Sequence, residues 1–90
     1  MPKYVTIRDL PGADADAIAG AGVRIMSCTT AMQCEGTPVR WLRSYFLPES
    51  HQTHCYFEAP DVQTVRLANE RAAIPYTAIF EVDELTPDNV

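Results

Sequence analysis

Ninety residues, with seven Lys and Arg, twelve Asp and Glu and a formal net charge of −5, make one small domain that buries about 60–65% of its unfolded surface and gains from oligomerisation. A hydrophobic fraction of 47% is too high for disorder, and every apolar run is too short for a membrane-spanning helix. The acidic balance argues against nucleic acid, whose phosphates need a basic surface.

Residues 3–9 alternate in polarity around Tyr4, Val5, Thr6 and Ile7, which is strand chemistry ended by Pro11-Gly12. Asp14 or Asp16 can cap a helix running to about Gln33, whose Ile18, Ala21, Ile25, Thr29 and Met32 form one apolar stripe. Gly20 and Gly22 each weaken it by roughly 1 kcal/mol relative to Ala, and either allow close helix–sheet approach or move its start later. Gly36 is a natural stop, with Pro38 after it. Val39 to Leu47, rich in aromatics, and Gln52 to Glu58 read as a hairpin around Pro48-Glu49-Ser50-His51. Asp61 is an N-cap candidate for a helix carrying Val62, Val65, Leu67, Ala68 and Ala72, broken at Ile74-Pro75. Tyr76 to Leu85 is a last strand, and 86–90 a polar tail behind a single domain over 1–85.

The order βαββαβ predicts a ferredoxin-like α+β sandwich, a four-stranded antiparallel sheet with both helices on one face. Alternation along each strand assigns Val5, Ile7, Leu42, Phe46, Cys55, Phe57, Phe80 and Val82 to the helix side. The open side then receives Tyr4, Thr6, Arg8, Trp41, Arg43, Tyr45, His54, Tyr56, Glu58, Ile79 and Glu81, and a one-residue register error inverts any one set. So aromatic a surface, with Arg in it, suits a ligand or partner. Two such sheets can pair into a dimeric α/β barrel. Arg8, Trp41, Arg43, Tyr45, His54, Tyr56 and Glu58 are therefore the candidate ligand-binding set, with plain dimer contacts as the alternative role.

The chain has two histidines, His51 and His54, followed by Cys55. Imidazole and thiolate suit nickel, zinc or copper, but His54 and Cys55 point to opposite faces of a regular strand. The metal candidates are therefore His51 and His54, or His54 with Glu58 on one face or with a group from a dimer partner. Cys28, Cys34 and Cys55 match no zinc spacing and read as reduced thiols. The opening residues lack the apolar core of a signal peptide, so the expected setting is cytoplasmic. A rival reading is a cofactor-free cyclase, isomerase or monooxygenase, with His54 moving a proton and Arg43 holding an anion.

The segments Met1-Pro2-Lys3-Tyr4-Val5, Trp41-Leu42-Arg43-Ser44-Tyr45, Cys55-Tyr56-Phe57-Glu58-Ala59-Pro60-Asp61, Val65-Arg66 and Ile74-Pro75 together resemble a bacterial family long labelled a domain of unknown function. Its best-described member is a nickel-binding, nickel-responsive protein of ferredoxin-like fold that dimerises. The resemblance spans nearly the whole chain. It implies that fold, a cytoplasmic homodimer, and nickel or another divalent transition metal as ligand. Family members often carry His two positions after the Trp and again in the second helix, where this chain has Arg43 and Asn69.

Overall fold

The computed structural model describes residues 1–90. Its elements are β1 (Lys3–Asp9), α1 (Ala15–Cys34), β2 (Arg40–Leu47), β3 (Gln52–Glu58), α2 (Val62–Arg71) and β4 (Ala78–Val82). The expected order holds, with β2 and β4 shorter than the sequence suggests. The sheet runs β2-β3-β1-β4 and every neighbouring pair is antiparallel. Each β-α-β crossover therefore passes over one strand, β3 under the first and β1 under the second. This is the ferredoxin-like arrangement.

Both helices begin at a capping aspartate. Asp14 Oδ1 accepts from the Ala17 amide at 2.8 Å. Asp61 Oδ1 accepts from the Thr64 amide at 2.9 Å and the Thr64 hydroxyl at 2.8 Å. Each satisfies a donor that the first helical turn leaves free. Gly36, at φ 90°, turns the chain out of α1, a conformation open to glycine at little cost. The ends of the helices are joined by Arg71, whose guanidinium grips both oxygens of Glu35 at 2.9 Å. Those bonds hold the Glu35 carboxyl below its ordinary range.

The core lies between helices and sheet. Ile25 and Met32 of α1, Val65 and Ala68 of α2, and Tyr4, Cys55 and Phe57 of the sheet share one buried cluster. On β3 the expected faces are found, with Cys55 and Phe57 inward and His54, Tyr56 and Glu58 outward. Three other assignments are corrected. On β1 the pairs Tyr4↔Phe57, Thr6↔Cys55 and Arg8↔Thr53 put Tyr4, Thr6 and Arg8 on the helix face, so Val5 and Ile7 take the open one. On β4, Ile79 pairs with Thr6 and packs on the core, while Phe80, opposite Val5, is 55% exposed. On β2 a bulge between Trp41 and Arg43 breaks the alternation. Trp41 pairs with Phe57 and turns inward, while Arg43 and Tyr45 face outward as expected.

The cause on β1 is a polar one. Arg8 is 2% exposed and donates to Asn69 Oδ1 of α2 and, at 3.5 Å, to the Pro75 carbonyl. With an acceptor waiting inside, its guanidinium can be buried, and strand periodicity then carries Tyr4 and Thr6 to the same side. On β2 the extra residue of a bulge shifts phase, which no composition pattern reveals.

Phe57→Ala empties a fully buried site and is expected to cost about 3–5 kcal/mol in urea unfolding. Phe80→Ala, at an exposed position, is expected to stay within about 0.5 kcal/mol in dilute solution; a cost equal to that of Phe57→Ala would restore the opposite face assignment. Asp61, held below its ordinary value chiefly by the Thr64 hydroxyl and amide, adds acid sensitivity. Its folded pKa is depressed, so the unfolded chain binds the proton first as pH falls. The contribution is present above the unfolded value of about 3.9 and is lost as pH drops through the folded one. Asp61→Asn is expected to flatten the pH dependence of unfolding below about pH 4, read by urea titration at stepped pH.

Candidate functional site

The open sheet face is built by β3 at its middle and β2 at its side. His54 sits opposite Ile7 of β1 and Tyr45 of β2, Tyr56 opposite Val5 and Arg43, and Glu58 opposite Lys3 and Arg40. The structure therefore brings together Arg43, Tyr45, His54, Tyr56 and Glu58 of the expected set, and leaves out Arg8 and Trp41. Those two face the helices, where they border a cavity of about 360 Å³ between α1 and the sheet. Trp41 Nε1 donates to Ser44 Oγ at 2.9 Å.

The outward groups are already engaged in part. Glu58 pairs with Lys3 at 3.6 Å and Arg40 at 3.5 Å. Arg43 meets Glu84 at 3.3 Å. Because β4 and β2 are opposite edges of the sheet, that contact draws residues 83–86 across the open face. They line a groove together with Lys3, Tyr56 and Val82. Sequence reasoning missed this strap, since a charged segment after a strand carries no sign of where it will lie. The ring edge of Tyr45 or Tyr56 meets the other's face at 6.2 Å between centroids, and Tyr45 is 60% exposed.

The histidines do not converge. His54 Nε2 lies 3.0 Å from Gln52 Oε1. His51, in the turn at φ 50°, sets its ring edgewise on Phe46 with centroids 6.2 Å apart. Phe46 pairs with Thr53 and so shares the helix side, away from His54. Glu58 is four residues from His54, about 13 Å along a strand at roughly 3.3 Å per residue, and cannot share an ion with it. Cys55 is buried on the other face, and all three cysteines are free thiols. No group of three or more His, Cys, Asp or Glu side chains could hold a metal ion. Within one chain these residues do not fit a nickel centre, which needs several donors converging on a point.

The model of the nickel-responsive SCO4226-like proteins matches residues 4–82. The chain belongs to the SCO4226-like family. No curated protein matches it. The crystal structure of SCO4226 from Streptomyces coelicolor A3(2) has the same fold, with a TM-score of 0.79, 19% identity, and coverage of 93% of this chain and 99% of that one. A family of nickel-responsive proteins supports a metal-response role for this SCO4226-like chain. No helix in it is long and apolar enough to cross a membrane.

Trp41 on the helix side gives a direct check. A Cβ on Gly22 would stand 3.5 Å from the far edge of the indole, an ordinary van der Waals contact. Gly22→Ala is expected to stabilise the chain by about 0.5–1 kcal/mol through helix propensity and to change the emission of the single tryptophan. An unchanged spectrum would place the indole elsewhere.

Proposed function

We propose that this chain is a metal-response protein working as a cytoplasmic homodimer, its two copies meeting through their open sheet faces and sharing nickel or another divalent transition metal. The observation that carries the reading is the position of His54, half-buried at the centre of an exposed aromatic sheet face. One chain assembles no complete donor set, so a site needs a second copy, with His54 of each as donor. His51 would join only if its turn swung the ring off Phe46. Tyr45 and Phe80 offer apolar area for pairing, and the family's nickel response supports the metal. Three free thiols suit a reducing compartment.

The geometry favours no acid–base enzyme on this face. The side-chain partner of His54 is an amide oxygen, and Glu58 is answered by two cations.

Nickel and zinc titrated calorimetrically into metal-stripped, tag-free protein are expected to bind at one ion per two chains. His54→Ala is expected to abolish the signal, and sedimentation to show a dimer in the wild type. Absence of binding to the wild type would remove the metal, and a monomer at calorimetric concentrations would remove the shared site.

A further inference from the structure

We propose that the cavity between α1 and the sheet binds a small amphipathic carboxylate, with Arg8 holding the carboxylate and the apolar walls holding a hydrocarbon body. The site lies on the helix side of the sheet, apart from the open face and its histidines.

Arg8 carries the argument. It borders the cavity and is almost wholly buried, yet none of the four ion pairs in the chain includes it. Its two hydrogen bonds go to neutral oxygens, on Asn69 and Pro75, the latter a long one at 3.5 Å. A guanidinium fork presents more donors than these two oxygens use, and a buried cation without a counter-charge is costly. A carboxylate matches the fork with two parallel bonds and supplies that charge.

The walls fix the rest of the ligand. Ile18, Ile25 and Met26 of α1 form one side, with Trp41 and Cys55 of the sheet on the other. Gly22 faces the indole without a side chain, which keeps the space open. Val23 and Met26, at the cavity and yet more than half exposed, give an apolar rim. The volume, about 360 Å³, falls within the range of about 300–1,000 Å³ usual for small-molecule pockets. Such walls disfavour inorganic phosphate or any strongly hydrated dianion, and Arg8 repels a metal cation. A monocarboxylate with an aliphatic or aromatic body fits both features.

The chain has one tryptophan, and Trp41 lines the cavity, so its emission reports occupancy. Octanoate, acetate and 1-octanol are titrated into the full chain, followed by fluorescence and calorimetry. Octanoate is expected to saturate at one per chain. Octanol is expected to bind at least about tenfold more weakly for want of the charge-assisted pair, and acetate not at all for want of a body. Arg8→Met is expected to remove the preference for octanoate over octanol. Gly22→Leu, which replaces a poor helix former by a good one and fills the space before Trp41, is expected to abolish binding of both. No saturable response to octanoate, an equal response to octanol, or undiminished binding by Gly22→Leu would each overturn the proposal. Gly22→Leu keeps Arg8 in place and decides the matter even where Arg8→Met fails to fold. Nickel binding on the open face succeeds or fails independently, because neither variant touches His54.

Discussion

The burial of Arg8 beneath α2 is the constraint on which the rest of the arrangement depends. A guanidinium enters a core only where acceptors are waiting, and here the acceptor is itself fixed. Asn69 donates through Nδ2 to the Val65 carbonyl at 2.7 Å, which leaves its Oδ1 turned to Arg8. Three pieces are tied at one point: the central strand, the second helix, and the Pro75 segment leading into β4. Because a strand alternates with period two, this polar contact decides the direction of every β1 side chain. Tyr4 and Thr6 enter the core with Arg8, and Val5 and Ile7 turn to the opposite face, where Val5 is still only 7% exposed. The middle of the open face is consequently apolar, although Val5 leaves little of its surface for a partner.

That same contact explains what could be read from the sequence and what could not. The order of elements is legible, as is the cap at Asp61 and, to within the choice of Asp14 or Asp16, the first one, because these stand just before their helices and Gly36 and Ile74-Pro75 stand just after. The face of β3 is legible too, since Cys55 and Phe57 alternate with His54 and Glu58. On β1 each alternate set mixes apolar and polar residues, so burial preference does not choose between them. The choice lies with Asn69, sixty-one positions away. On β4, Ile79 and Phe80 are equally apolar, and only the ladder with β1 decides. The β2 bulge separates Trp41 from Arg43 and has no marker such as glycine. The site was therefore half legible: the β3 residues and their β2 neighbours Arg43 and Tyr45 were found on one face, and the strap that pins Arg43 through Glu84 was not.

Arg43 and Asn69 occupy positions where the resemblance leads one to look for histidine. Here each has structural work. Arg43 points outward and anchors the segment after β4, while Asn69 points inward and anchors β1. They stand on opposite sides of the sheet, so no exchange at these two positions would by itself bring two donors to one ion within a chain. The proposed metal site therefore draws on neither position, and the acidic chain has a surface on which a divalent cation is not repelled overall.

The sheet separates two different environments with a single strand. Thr53 and Cys55 face the cavity beside Arg8, and His54, between them, faces the open side. Coupling between the two sides would need an element with two arrangements that both occupants bias. β3 is a poor candidate, because it is hydrogen-bonded on both edges and a slip of one residue would exchange its faces. α1 is a better one. Its first half carries glycines at 20 and 22 and stands over the cavity, and its second half is held by Met32 and by Glu35 through Arg71. An occupant of the cavity would therefore act on the helix layer before it acted on His54. Were both proposed sites occupied, their free energies would add, with any departure from additivity originating in the first turns of α1.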